Sequence, residues 1–431
     1  MPLDLDDVAH LLRRTGYAAS RMQASSFTSG TLAQLVDTVL DITADPPVVE
    51  PPLLLDTTRS DSTRLNDLTL WWFNRMATSP TPIVEKLTAF WHGHFTTEFS
   101  KLPGIDLMWG QHVLYRANAM GNFRAFTHAM ALDPAMLFYL DNRVNVKASP
   151  NQNFARELQE LFTIGVGNYT EQDVAEASRA WTGHGTGPKP TYSYEFHANQ
   201  HDSATKTFYG TTKNWDGPDT IDEILDNSTK RPITAAYICT QLWEYFAHPV
   251  PPPGVIDTLA AVFIAANFDI KPVLRAMFLL PEFYAPAAKQ GLVRTPVDYV
   301  ASVLRLTGRT AEELSATRLL GVMGQVPFSP PNVAGWKANA YWFAHSAVLA
   351  RFSFARTAAG TLKTLGFPFD SLSLTVADAV TLALDTFGVL TPTADTVGVL
   401  TRWLTDARAH GWAEQTDLMA LAMLSPEFQV A

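Results

Sequence analysis

Apolar residues recur at helical spacing along nearly the whole chain, and that period limits the possible folds more than any motif does. Leu5, Val8, Leu11 and Leu12 form one stripe ahead of Gly16, where a glycine is well placed to end a helix. The same pattern returns around 30–42, 64–78, 82–95, 150–163, 232–246, 295–307, 340–363 and 395–409. A 3.6-residue period puts its apolar side chains on one helix face, and a strand, with a period of two, would scatter them over both of its faces. Strand signals are scarce. In Thr191–His197, Tyr192, Tyr194 and Phe196 alternate with smaller or polar residues, as on a half-buried strand. The sequence therefore predicts an all-α, mainly α-helical fold with a small β-hairpin insertion near residues 190–212.

Hydrophobic residues make up 47% of the 431 and charged residues 17%, which places the chain among folded proteins and away from disordered ones. The net charge is -10 and Lys and Arg form no concentrated basic run, so no nucleic-acid partner is expected. No segment reaches the roughly 18 to 20 uninterrupted apolar residues of a membrane helix, and no membrane partner is expected either. The acidic start, Met-Pro-Leu-Asp-Leu-Asp-Asp, lacks the positive charge of an export signal, so the expected location is cytoplasmic. Cys239 is the only cysteine, which excludes an intramolecular disulfide, a zinc ribbon or a four-cysteine cluster and leaves a buried structural thiol.

Proline-rich breaks at 45–52 and 249–253 read as loops, since proline donates no backbone hydrogen bond. The second break divides a motif-rich helical body, 1–250, from a helical carboxy-terminal unit, 251–431. Ala276-Met-Phe-Leu-Leu-Pro-Glu-Phe283 is echoed by Ala422-Met-Leu-Ser-Pro-Glu-Phe428, as if one helical hairpin were used twice.

Several short motifs carry polar side chains suited to chemistry. In Phe90-Trp-His-Gly-His-Phe95, His92 and His94 can share a metal only if Gly93 breaks the helix. On a continuous helix, at about 100° per residue, they fall on nearly opposite faces as ordinary core and surface histidines. In Asn151–Phe162, Asn153, Glu157 and Glu160 share a face with Arg156 alongside. They form either paired carboxylates in a pocket or a solvated stripe. Thr170 and Asp173 resemble a capping box, and the glycines of Thr182-Gly-His-Gly-Thr-Gly187 lack the preceding strand of a dinucleotide fingerprint. His201-Asp202 pairs a ligand or base with a carboxylate, or forms a polar hairpin tip. Pro330-Pro-Asn-Val-Ala-Gly-Trp336 is a loop that lines a cleft or covers the core.

The order of these motifs is more specific than any one of them. Leu11-Leu-Arg-Arg-Thr-Gly16, Trp91-His-Gly-His-Phe95, Asp133-Pro-Ala-Met-Leu, Tyr-Leu-Asp141 and Asn153-Phe-Ala-Arg-Glu157 come first. Leu-Phe-Thr-Ile-Gly-Val-Gly-Asn-Tyr-Thr-Glu171, Trp181-Thr-Gly183, His201-Asp202, Pro-Pro-Asn-Val-Ala-Gly-Trp336 and Ser-Pro-Glu-Phe428 follow. This succession closely resembles the bacterial family catalogued as domain of unknown function 1800. The resemblance implies a large, mostly helical protein and no established reaction. Gln152 stands where the family pattern usually has Glu, and Lys337-Ala-Asn339 stands where it often has Pro-Gly-Gly.

The polar residues of the pattern suggest an enzyme acting on a small polar substrate. The sequence-based site places one divalent transition metal on His92, His94, Glu157 and His201, with iron, zinc, manganese or copper as the occupant. Asp202 or Glu160 would be the acid–base group, and Asn153, Arg156 and Trp336 would contact the substrate. The chemistry is hydrolytic or oxidative. The alternative is a helical binding or scaffold protein in which Arg156 with Glu157 and Glu160, and His201 with Asp202, are buried structural ion pairs. A catalytic site leaves these groups facing a cleft, whereas a structural network seals and pairs them.

Overall fold

The computed structural model describes residues 3–54, 56–412 and 414–431. Every stretch with helical period is helical. Leu5–Gly16, Leu32–Val39, Asp61–Thr78, Pro82–His94, Asn153–Glu160, Lys230–Phe246, Pro296–Thr307, His345–Thr364 and Ala394–His410 are among twenty-one α-helices in the described residues. Their starts are written locally. Ser60, Asn122, Asp133, Thr295 and Thr375 each accept a backbone N–H of the following turn, and Thr31 with Gln34 and Thr170 with Asp173 form reciprocal capping boxes. The first helix does end at Gly16, although the left-handed residue that stops it is Tyr17, at φ 70°. Gly16 also serves packing, because a Cβ there would lie 3.0 Å from Pro82 Cγ.

The β insertion contains two small hairpins. β1 (His184–Thr186) pairs antiparallel with β2 (Tyr194–Phe196), and β3 (Lys206–Phe208) pairs antiparallel with β4 (Thr211–Lys213). The alternating segment 191–197 thus pairs backwards, with residues just after Trp181, and the stretch near 212 forms its own hairpin.

Two hydrophobic clusters organise the helices. One runs from Val8 through Trp91, Phe95, Trp181 and Trp243 to Phe283, with Leu390 added. The other gathers Tyr17, Leu68, Trp72, Phe73, Ile105 and Met108 with Val297, Phe354, Leu384, Leu418 and Phe428. The echoed Pro-Glu-Phe segments anchor one cluster each, since Phe283 and Phe428 are both fully buried; such burial contributes roughly 1.5–3 kcal/mol per side chain. Cys239 is also buried, and burial pushes its thiol up to about 12.

The helix Pro82–His94 joins the two clusters. Its Leu87, Phe90 and Trp91 enter the first, while Ala89 packs against the second and Lys86 Nζ donates to Asp298 at 2.7 Å. Glu85 on this helix is fully buried and its carboxylate is fully used. It accepts from Trp72 Nε1 at 3.0 Å, Arg116 Nη2 at 2.8 Å and Arg75 Nε at 3.3 Å, and Asp45 completes the set by accepting from Arg116 at 3.1 Å. Among the described residues no helix is long and apolar enough to cross a membrane.

Candidate metal centre at the first hairpin

The hairpin site begins with close approaches that only glycine allows. Gly183 has φ +79°, and a Cβ on it would lie 2.7 Å from the His197 carbonyl oxygen, so the 197–201 turn can fold down over the start of β1. Gly217 opens the next helix against the indole of Trp181, where a Cβ would meet the ring at 2.6 Å. Trp181 is fully buried and donates its indole N–H to Thr220 Oγ1 at 3.0 Å. These contacts carry His184 on β1, His201 after β2 and Asp216 at the helix start to one point. One ligand atom from each lies within 4.8 Å of the other two.

Hydrogen bonds orient all three side chains. His201 Nδ1 is 2.8 Å from the Thr182 carbonyl oxygen, which can only accept, so Nδ1 carries the proton and Nε2 keeps its lone pair. That lone pair faces the others, with Nε2 4.0 Å from Asp216 Oδ1. His184 Nε2 lies 2.9 Å from the same oxygen and its Nδ1 lies 2.9 Å from the Tyr194 hydroxyl. The carboxylate can only accept, so Nε2 donates to it and Nδ1 accepts from the Tyr194 phenol. Partial burial works to raise the Asp216 pKa, but hydrogen bonding and charge from His184 outweigh it and hold the carboxyl below its usual range. The Tyr194 hydroxyl is raised, by burial and then by the charge of Asp216. The His184 side chain is 2% exposed, that of His201 12% and that of Asp216 48%, so the site opens to solvent on the Asp216 side.

Two imidazoles and one carboxylate with one oriented lone pair form a recognised donor set for a divalent transition metal. The carbonyl holding His201 and the phenol holding His184 are the outer partners such ligands normally have.

The metal set read from the sequence is not one site, and His201 is the only member in this cluster. Gly93 does not break its helix, which continues through His94, and His92 and His94 project to different sides. His92 Nε2 accepts the Phe328 N–H at 3.0 Å inside a ring of Trp72, Tyr115, Phe328 and Trp336. His94 Nε2 faces the Phe162 carbonyl oxygen at 3.0 Å. Burial lowers both, His92 to about 3 and His94 to about 4, so both rings are neutral near pH 7.

Glu157 stands elsewhere, half-buried in a cleft of ≈ 560 Å³ with Glu98, Lys101, Tyr139, Asn153 and the loop Pro330–Val333. Burial and then the neighbouring Glu160 push its carboxyl up to about 7. Glu160 is held by the Tyr169 hydroxyl, and Arg156 forms an exposed pair with Glu171 at 2.7 Å. Asp202 turns away from His201 and accepts from Arg179 Nε at 2.7 Å. Burial acts to raise its pKa, and the Arg179 bond prevails and keeps it low. Of the substrate contacts expected, Asn153 shares the Glu157 cleft, Arg156 does not reach it, and Trp336 lines a cavity beside His94.

No sequence pattern marks His184 or Asp216 as ligands. In the Thr182-Gly-His-Gly-Thr-Gly187 run the glycines, not the histidine, dominate the pattern, and Asp216-Gly-Pro reads as an ordinary helix start. Residues 184, 201 and 216 share no sequence period, and only the backward pairing of β1 with β2 brings them together.

The family described as "Protein of unknown function (DUF1800)" matches residues 10–430. The chain belongs to this family. No curated protein and no solved structure matches it. The DUF1800 match takes in all of the second hydrophobic cluster, the first from Leu11 onward, and every residue of the hairpin site.

Proposed function

We propose that the chain is a metal-dependent enzyme whose divalent transition metal is held by His184, His201 and Asp216 and which acts on a small polar substrate. The observation that carries this reading is the convergence of three ligand atoms, from three separate segments, within 4.8 Å of one another. Three protein ligands leave coordination positions for water or substrate, as catalytic sites require. A metal there supplies Lewis acidity and lowers the pKa of bound water. His201 would ligate through Nε2 and keep its Nδ1 bond to Thr182, while His184 would shift to the tautomer that donates a hydrogen bond from Nδ1 to the Tyr194 oxygen, leaving its Nε2 lone pair free for the metal. Asp216, the most exposed of the three, would face the incoming substrate. A zinc occupant fits hydrolysis, and iron, manganese or copper extends the chemistry to oxidation.

One observation favours the scaffold reading instead. Asp202 with Arg179, and Glu85 with Arg75 and Arg116, are paired networks needing no ion. Titration with cobalt(II), monitored by visible absorption, separates the two. One equivalent giving d–d bands, abolished by His201→Ala at unchanged secondary structure, supports the enzyme reading. A featureless titration favours the scaffold.

A further inference from the structure

A second cavity, of ≈ 180 Å³, is lined by Phe90, His94, Glu244, Trp336, Lys337 and Trp342, with Tyr245 alongside. None of these residues takes part in the hairpin site. Phe90, Tyr245, Trp336 and Trp342 give the lining four large aromatic side chains, which suit a flat ring. Its polar groups are unusually free. Trp342 is 1% exposed, yet its indole N–H has no hydrogen-bond partner among the described residues. A buried donor left unpaired is costly, and a ligand acceptor would satisfy it.

His94 offers the complementary group. The Phe162 carbonyl accepts from Nε2, so Nδ1 must carry the lone pair, and burial keeps the ring neutral. At the rim stand two exposed opposite charges, Glu244 and Lys337, neither ion-paired among the described residues. Lys337 Nζ only overlies the Tyr341 ring, at 5.5 Å.

A lining that combines these aromatic rings with an acceptor, an unpaired donor and an exposed acid and base is complementary to a ligand that carries a ring and both charges. We propose that this cavity binds a small aromatic zwitterion of the α-amino-acid class, its ring among Phe90, Trp336 and Trp342, its ammonium at Glu244 and its carboxylate at Lys337. The site stands independently of the metal reading.

Isothermal titration of the full chain with L-phenylalanine, L-tyrosine and L-tryptophan tests this. Phenethylamine, which lacks the carboxylate, and 3-phenylpropanoate, which lacks the ammonium, serve as controls. Saturable binding of at least one amino acid is expected, weakened about fivefold by Lys337→Ala and about fivefold by Glu244→Gln, the loss of one exposed ion pair each. Both residues are exposed, so neither variant should lower the melting temperature. Each control should bind more weakly than the parent amino acid. No saturable binding, equal binding of either control, or binding untouched by both substitutions would overturn the assignment.

Discussion

The Nε2 atom of His92 accepts the backbone N–H of Phe328 at 3.0 Å, linking residues 236 positions apart at the junction of the two hydrophobic clusters. Replacing His92 with alanine orphans that N–H and opens a hole among Trp72, Tyr115 and Phe328. The expected cost is about 2–4 kcal/mol in chemical denaturation, with bound metal unchanged. Loss of metal at full stability would return His92 to the ligand set.

The same motif meets the late loop a second time. Gly335 has φ +74°, and a Cβ there would stand 2.4 Å from the Gly93 carbonyl oxygen. Gly335→Ala should therefore destabilise by about 1–3 kcal/mol, whereas a Cβ at Gly93 meets nothing within 4 Å. Gly93→Ala should be neutral or stabilise the helix by about 0.5–1 kcal/mol. Thermal melts of the two variants check the asymmetry. Equal effects would contradict it.

Glu85 is the buried carboxylate of a fully paired set. Glu85→Ala strands Arg116 and Trp72 and should cost about 3–5 kcal/mol, while Glu85→Gln, which keeps part of the hydrogen bonding, should cost less. Urea denaturation measures both. An alanine variant within about 1 kcal/mol of wild type would show that the network is dispensable.

Much of the fold was readable because it is local. Period, capping residues and proline breaks announce the helices, as at Thr170 and Asp173, where both partners of the cap lie in one turn. The fate of His92 and His94 was also readable in part, since an unbroken helix must separate them. The hairpin site was not. His201 stood out for its neighbour Asp202, but Asp202 answers to Arg179, and the true companions arrive through strand pairing and the Gly217 contact with Trp181. Glu160 looked like a free acid and is tied to Tyr169, a contact set by the turn after the helix.

Asp133 gives a pH signature that is separate from the hairpin. It is buried at the start of the helix Pro134–Tyr139 and accepts from Gln111 at 2.7 Å and from the Met136 N–H at 3.0 Å. Burial raises its carboxyl to about 7, against the lowering effect of those hydrogen bonds. A raised carboxyl favours the protonated folded state, so its contribution is full below the ordinary value near 3.8 and is lost as pH rises to about 7. Asparagine keeps the cap without the charge. Wild type should lose stability relative to Asp133→Asn between pH about 4 and about 7, on the order of 2–4 kcal/mol. A stability difference independent of pH would contradict this.

The central claim is the metal centre, and metal content tests it most directly. The full chain is purified untagged and without chelator, and inductively coupled plasma mass spectrometry is run on it beside His184→Ala, His201→Ala, Asp216→Asn and His92→Ala. The account predicts close to one equivalent of a transition metal in wild type and in His92→Ala, and loss of that metal in the three hairpin variants. Metal-free wild type that also fails to take up added zinc, iron, manganese or copper would contradict it, as would metal retained by all three hairpin variants.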